Sequence, residues 1–195
     1  MGKLFGSKTY LIGAMDRVED HGAGWRDMMT PELHKLGVMV FNPLKKPLPE
    51  IAAIENDNNR QIRTEWKEAR DYDKMDTVRQ IRSTDLSMVD KADFIIVYID
   101  TDVHACGTYE ELFWANRCKK PVLVYCKQGK EKCPDWLFWT LPHRHIFSSW
   151  NGLLSHLDWV NEKGSDDTDR WILFDMEKEL EAINRYRELR ESTVG

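Results

Sequence analysis

DFIIVYID, residues 93 to 100, decides the fold class of this chain. Six apolar residues, Phe94 to Ile99, stand between two aspartates without a polar interruption. The run is too short to span a membrane as a helix, which takes about 20 apolar residues. Continuous apolar runs of this length are typical of parallel strands, because helices cover both faces of a parallel sheet. We therefore expect a buried central strand here.

Further apolar runs of strand length lie on both sides of this one. They are KTYLIGAM (8–15), VMVFNP (38–43), PVLVYC (121–126) and HIFSS (145–149). Between the first two, apolar residues recur at helical spacing up to Gly37, a typical C-cap, and Pro31 predicts a kink or a late helix start. Strands alternating with helices predict an α/β fold, with a doubly wound, Rossmann- or flavodoxin-like parallel sheet of about five strands.

The length of 195 residues favours a single domain over residues 1–195. Residues 44–84 interrupt the alternation, since they contain no strand-like run but nine Lys/Arg and eight Asp/Glu residues. We expect a helical insertion at about 44–84, which is either a solvated surface element or a lid over a pocket. WNGLLSHLDWVNE and MEKELEAINRYRELRE predict C-terminal helices at about 150–192.

The composition argues against several classes of partner. A net charge of −5 disfavours nucleic acid, whose phosphates require clustered Lys and Arg. No run predicts a membrane span or a secretion signal, so we expect a cytoplasmic protein with no membrane partner. The four cysteines form no CxxC pair, and HRH (143–145) has no acidic or Cys partner at a metal-binding spacing. We therefore expect free thiols and no metal site.

The carboxyl ends of the strands are the expected ligand site, because ligands of open α/β sheets bind there. The residues at these ends are Gly13, Ala14, Met15 and Asp16 after the first strand, Asn42 and Pro43 after the second, residues 100–108 after the third and residues 126–129 after the fourth. Arg26, Arg79 and Arg82 are candidate phosphate contacts, and the alternative is that they are surface side chains.

CGTYEELFWA (106–115) places two glutamates at the start of a predicted helix after the central strand. Thr108 and Glu111 fit a capping box, which needs no chemistry. Alternatively, a carboxylate in the first helical turn, kept ionised by the helix dipole, suits nucleophilic attack on a sugar carbon. Glu110 and Glu111 point about 100° apart around the helix, so we expect only one to face a pocket.

Four segments together resemble one known family, the nucleoside 2-deoxyribosyltransferases. They are YLIGAM, GWRDMMTPELHKLGVMVFNP, TDLSMVDKADFIIVYID and GTYEELFWANRCKKPVLV. In this resemblance Glu111 matches the family's nucleophile, Asp85 its pocket aspartate, and Gly107 and Thr108 the turn before the nucleophile. Ala105 and Cys106 stand where the family commonly has Asp.

The resemblance implies an enzyme that cleaves or transfers the N-glycosidic bond of a (deoxy)nucleoside or nucleoside monophosphate, without a cofactor. Its catalytic residues would be Glu111 and Asp85, although Asp85 also fits a helix N-cap. The candidate substrate-binding residues are Gly13, Ala14, Met15, Asn42, Asp100, Gly107, Thr108 and Arg26. The alternative is a non-catalytic nucleotide-binding sensor on the same fold. The resemblance and the many aromatic side chains also predict a homo-oligomer, a dimer or larger.

Overall fold

A computed structural model describes residues 2–46, 60–165 and 170–171. Five parallel strands form one sheet in the order β2-β1-β3-β4-β5. They are β1 Lys8–Gly13, β2 Met39–Phe41, β3 Phe94–Ile99, β4 Val122–Cys126 and β5 Ile146–Phe147. The doubly wound parallel sheet predicted from the apolar runs is thereby confirmed, in its flavodoxin-like order.

Seven α-helices flank the sheet in the described part of the chain. They are α1 Ala23–Lys35, α2 Arg60–Glu68, α3 Tyr72–Thr77, α4 Arg79–Lys91, α5 Cys106–Arg117, α6 Asp135–Thr140 and α7 Trp150–Lys163. Short 3-10 turns occupy Pro43–Lys45, Lys130–Lys132 and His143–His145. None of the helices in these residues is both long and apolar enough to cross a membrane.

The core lies on both faces of the sheet. On one face Val89 of α4, Leu112 of α5 and Leu137 of α6 pack against alternate residues of β1, β3 and β4. On the other face, side chains of α1 and α7 pack against the intervening residues. All four apolar residues Phe94 to Val97 of β3 are fully buried. This two-sided burial explains why the strand sequence is continuously apolar rather than alternating.

Three predicted helix starts are wrong. The helix containing Asp85 begins at Arg79, so Asp85 lies in its middle and is not an N-cap. The helix containing Glu111 begins at Cys106 after Ala105, and its N-cap has no side-chain hydrogen bond. The capping box at Thr108 is therefore absent. The first helix begins at Ala23 and contains Pro31, so the late start is also wrong.

The predicted insertion at 44–84 is helical wherever it is described, since it holds one 3-10 turn, α2, α3 and the beginning of α4. Residues 47–59 lie outside the described residues. The first predicted C-terminal helix corresponds to α7. The second, MEKELEAINRYRELRE, also lies outside the described residues.

Candidate active site

A cleft of about 450 Å³ opens at the carboxyl ends of β1 and β3. The strand order reverses between these two strands, since β2 lies on one side of β1 and β3 on the other. Loops that leave a sheet at such a point diverge to opposite faces and leave a crevice for a ligand. The cleft lining includes eight of the predicted site residues: Gly13, Ala14, Met15, Arg26, Asp85, Gly107, Thr108 and Glu111.

Two predicted site residues do not line this cleft. The Asn42 side chain accepts a hydrogen bond from the Leu44 amide at 2.9 Å and so caps the 3-10 turn after β2. Asp100 accepts hydrogen bonds from Lys127 at 2.7 Å and Gln128 at 2.5 Å. Asp100 borders a separate, smaller cleft. Both side chains therefore stabilise loops beside the cleft and do not form part of its wall.

Glu111 is a buried carboxylate in the wall of the cleft, with 6% of the residue exposed. It is the sixth residue of α5, beyond the first turn in which a helix dipole stabilises an anion. Burial raises the pKa of Glu111 to about 7, and the Arg82 guanidinium opposes this rise. The expectation that the helix dipole holds this group ionised is therefore wrong. Its ionisation depends on burial and on Arg82.

Arg82 of α4 joins the two glutamates of α5. Its Nη1 donates to Glu111 Oε1 at 2.5 Å, and its Nε donates to Glu110 Oε2 at 2.8 Å. Glu110 is exposed and does not line the cleft, whereas Glu111 does. The expectation that only one glutamate faces the pocket agrees with this arrangement. The predicted phosphate contact of Arg82 disagrees with this arrangement, because two carboxylates already occupy its guanidinium.

Asp85 is the second carboxylate of the cleft, three residues after Arg82 on the same helix. Lys46 Nζ lies 3.0 Å from Asp85 Oδ1, and the Lys46 side chain is fully buried. Burial raises the pKa of Asp85, while Lys46 acts in the opposite direction. Sequence reasoning missed Lys46, because a lysine in the stretch LKKPLPE has the pattern of a solvated loop. Its burial and its contact with Asp85 distinguish it from its exposed neighbour Lys45.

The sequence profile of the nucleoside 2-deoxyribosyltransferases matches residues 10–163. The chain belongs to the nucleoside 2-deoxyribosyltransferase family. The match includes β1 from Tyr10 onward, the other four strands of the described sheet and all the cleft residues of both carboxylate-bearing helices. The family assignment confirms the resemblance seen in the four sequence segments, and it makes the chain an enzyme of nucleoside chemistry.

One solved structure agrees with the family assignment at the level of the fold. The 2-deoxyribosyltransferase from Bacillus psychrosaccharolyticus is similar at 22% identity and a TM-score of 0.54, over 76% of this chain and 90% of that one. A CMP N-glycosidase from Clostridium botulinum is similar at 15% identity and a TM-score of 0.44, over 78% of this chain and 98% of that one. No curated protein gave a significant sequence match.

In this family member, Arg26 supports the loop after β1 instead of offering its charge to a ligand. The residue is completely buried. Its guanidinium donates to the carbonyls of Leu11, Gly13, His21 and Gly22 at 2.9 to 3.3 Å. Four acceptors for five N–H groups leave little capacity for a phosphate. The sequence predicted either a phosphate contact or a surface side chain for Arg26. The structure instead shows it holding the backbone of the loop after β1.

Packing explains why residue 13 is a glycine. A Cβ atom at this position would lie 3.0 Å from the Trp25 ring and 3.4 Å from Tyr98. Trp25 in turn stacks on Trp150 with ring centroids 5.5 Å apart. The glycine thus makes room for an aromatic cluster beneath the loop, while its backbone still borders the cleft.

The charged insertion supplies one wall of the cleft. Arg63 of α2, Val78 and Ile81 line it together with Arg82. Arg63 Nη2 lies 2.7 Å from Asp16 Oδ1, which links α2 to the loop after β1. This placement favours the pocket-wall interpretation of the insertion over a wholly solvated one. Arg79, the third phosphate candidate, is exposed and faces Asp76 instead of the cleft.

No group of three or more His, Cys, Asp or Glu side chains in residues 2–46, 60–165 and 170–171 is arranged to hold a metal ion. Two further residues of the predicted ligand-binding run 100–108 line the cleft, His104 and Cys106, and the Cys106 Sγ lies 3.5 Å from the His104 ring. Their sequence spacing of two carries no catalytic signature, so only their placement at the cleft draws attention to them.

Proposed function

We propose that the chain cleaves the N-glycosidic bond of a (deoxy)nucleoside or nucleoside monophosphate, with Glu111 as the nucleophile and Asp85 as the residue that handles the base. The observation that carries the proposal is the burial of Glu111 in the cleft wall, which it shares with the half-buried carboxylate of Asp85. The cleft volume of about 450 Å³ lies in the range of small-molecule sites. The family assignment supports the substrate class.

In the first step Glu111 attacks the anomeric carbon of the sugar. The new bond joins a carboxylate oxygen to that carbon, and the bond from carbon to the base nitrogen breaks. The base nitrogen keeps the electron pair and takes a proton. Asp85 is suited to supply it, because burial raises the pKa of its carboxyl against the opposing effect of Lys46 and so makes the protonated form easier to reach. The product of this step is a glycosyl-enzyme ester.

In the second step an acceptor attacks the same carbon and releases Glu111. If the acceptor is a second base, its nitrogen forms the new bond and its proton returns to Asp85, which gives transfer. If the acceptor is water, it gives the free sugar, and its proton likewise returns to Asp85, which gives hydrolysis. The cleft opens to solvent, so both acceptors have access.

An exchange assay tests the proposal. A deoxynucleoside and a different free base are incubated with the protein, and the nucleosides formed are separated by chromatography. A new nucleoside supports transfer, and release of the first base without exchange supports hydrolysis. The same assay is run with deoxynucleoside monophosphates. If none of these substrates loses its base while binding is still measurable, the protein is a nucleotide-binding sensor and the proposal is wrong.

We also propose that the chain acts as a single domain in a cytoplasmic homo-oligomer. The exposed aromatic side chains that support this are Phe113, Trp114, Phe138, Trp139 and Trp159. Trp139, for example, is 82% exposed, and aromatic residues are enriched at interfaces. In contrast, Trp150 stacks within the fold on Trp25. The four free cysteines suit a reducing compartment. A monomeric mass by light scattering would contradict the oligomer.

A further inference from the structure

The guanidinium of Arg82 is held at three points around the candidate nucleophile. Besides its bonds to Glu111 and Glu110, its Nη2 contacts the Gly107 carbonyl at 3.3 Å. Two of these acceptors are carboxylates and all three belong to α5, so the side chain crosses from α4 to its neighbour. A guanidinium fixed at several points is geometrically specified in a way that an isolated surface arginine is not.

Charged or titratable groups on β1, α1, α4 and α5 surround Glu111, and His104 and Cys106 line the same cleft. These groups are Tyr10 on β1, Arg26 on α1, Arg82 and Asp85 on α4, and Glu110 on its own helix. Arg26 directs its guanidinium at backbone carbonyls. Among the described residues, Arg82 is therefore the cation that hydrogen-bonds to Glu111. Buried carboxylates become neutral unless such a partner is present.

The contact engages only one of the two oxygens of Glu111. Arg82 Nη1 donates to Oε1, and no hydrogen bond within the described residues reaches Oε2. A carboxylate anchored through one oxygen presents the other in a defined direction. Nucleophilic attack needs such an orientation, because the reacting atoms must approach to about 3–3.5 Å with aligned orbitals.

We infer that Arg82 is a positioning residue, which keeps Glu111 in its ionised form with Oε2 directed at the cleft, and that Glu110 assists the same reaction by fixing Arg82. This inference rests on the proposed role of Glu111 as the nucleophile. It gives the exposed Glu110 a function without contact to the substrate. It also differs from a phosphate-binding role of Arg82, which would act on substrate affinity rather than on Glu111.

The test compares the variants Arg82→Gln, Arg82→Lys and Glu110→Gln over about pH 5 to 9, the range in which a carboxylate of this kind titrates. Turnover is measured at saturating deoxynucleoside. The acid limb, the part of the profile in which turnover falls as the pH is lowered, is expected in the wild type near the Glu111 pKa of about 7. Arg82→Gln is expected to move this limb upward by about one pH unit, which lowers turnover at pH 7 about fivefold, because the ionised fraction falls from about one half to about one tenth, and restores it at higher pH.

The other variants separate charge from geometry. Arg82→Lys keeps the cation, so its acid limb is expected to stay near that of the wild type. Its turnover is expected to be lower at every pH, because an ammonium lacks the planar set of N–H donors that contacts both glutamates. Glu110→Gln is expected to give a smaller upward shift than Arg82→Gln. Arg117→Gln is the matched control. Arg117 is an exposed arginine at the end of α5, the helix of Glu111, and it lies outside the cleft. Its profile is expected to equal that of the wild type.

A second readout does not depend on activity. The carboxyl resonances of protein labelled with 13C-glutamate are titrated by NMR, and Glu111→Gln identifies the resonance of Glu111. The inference requires this resonance to titrate at higher pH in Arg82→Gln than in the wild type, with Arg82→Lys close to the wild type. If Arg82→Gln does not fold, the Lys and Glu110→Gln variants decide by the same comparison.

Failure of the inference differs from failure of the proposed function. An unchanged Glu111 titration and an unchanged acid limb in Arg82→Gln, with a raised KM only, would overturn the inference and assign Arg82 to substrate binding. A wild-type protein that cleaves no nucleoside would overturn the proposed function. In that case the NMR titration still reports whether Arg82 controls the charge of Glu111.

Discussion

Arg82 and Glu111 lie 2.5 Å apart, and the same guanidinium reaches Glu110 at 2.7 Å. One cation on α4 thus holds both carboxylates of the glutamate pair on α5. Glu111 lines the crevice at the carboxyl ends of β1 and β3, where the fold places ligands. The two glutamates therefore differ in their roles although they are adjacent in sequence: Glu111 faces the cleft, and Glu110 faces Arg82 from the solvent side.

Glu111→Gln is expected to lower turnover by about three orders of magnitude or more, the scale seen when a reacting group is removed. The amide can still accept the bond from Arg82, but it is a poor nucleophile. Steady-state kinetics on a deoxynucleoside measures the effect. Glu110→Gln is the control, with an expected loss of less than about tenfold, because it only loosens Arg82. Equal losses in the two variants would contradict the assignment.

Glu111 should make the stability of the protein depend on pH. Its pKa is about 7 in the folded state against an ordinary 4.5. The unfolded chain loses this proton first, so the stabilising contribution is complete below about pH 4.5 and is lost as the pH rises towards 7. Glu111→Gln lacks this titration. Between pH 5 and 8 its free energy of unfolding should gain about 2.5 kcal/mol relative to the wild type.

Urea unfolding at these two pH values measures that difference. Glu110→Gln, at an exposed position beside the same arginine, serves as the comparison: it keeps Glu111, so its difference from the wild type should change far less between the two pH values than that of Glu111→Gln. A constant difference between Glu111→Gln and the wild type at both pH values would show that Glu111 titrates normally in the folded protein.

Asp85→Asn is expected to change which base is released and to destabilise the fold. The amide offers donors as well as an acceptor, and the buried Lys46 loses its anionic partner. Removing one member of a buried ion pair costs about 3–5 kcal/mol. A thermal melt first establishes the temperature at which the variant is folded. A panel of purine and pyrimidine nucleosides then gives rates and preference, and an unchanged pattern would exclude a role for Asp85 with the base.

Arg26→Lys should act on stability rather than on substrate binding. A lysine ammonium cannot reproduce the four carbonyl contacts of the guanidinium, so we expect a loss of about 2–4 kcal/mol in the free energy of unfolding. Arg117→Lys, at an exposed position, should change it little. A raised KM for a nucleoside monophosphate with unchanged stability would instead support the phosphate contact predicted from the sequence.

Gly22→Ala tests the cradle of backbone carbonyls that accept hydrogen bonds from Arg26, those of Leu11, Gly13, His21 and Gly22. Gly22 has a φ of 73°, and a Cβ atom there would collide with the Arg26 guanidinium and lie 2.8 Å from the Ala14 carbonyl oxygen. Gly6 has a similar φ of 82° but nothing within 4 Å of its Cβ position. Gly6→Ala should cost about 1 kcal/mol from backbone strain alone, and Gly22→Ala about 2–4 kcal/mol. Equal losses would mean that the cradle adapts to the methyl group.

Much of the fold could be predicted from local patterns. The apolar runs identified all five strands, because the period and length of such runs depend on the burial of each strand. The rule that ligands bind at the carboxyl ends of strands then led to Gly13, Gly107, Thr108 and Glu111, which do line one cleft. Helix starts were less predictable, since the cap signals at Thr108 and Asp85 lie inside longer helices.

Contacts between distant residues determine the electrostatics of the site, and local sequence does not encode them. Lys46 and Asp85 are 39 positions apart and Arg82 and Glu111 29 positions apart, and only packing of the insertion against α5 and β1 brings each pair together. Arg26 looked like a helix-start arginine because its burial depends on the loop that folds over it. By itself, the sequence determined the sheet and pointed to its carboxyl edge and two of its carboxylates as the candidate site. The tertiary structure decided their partners and their charge, because desolvation and ion pairing depend on what surrounds a group in space.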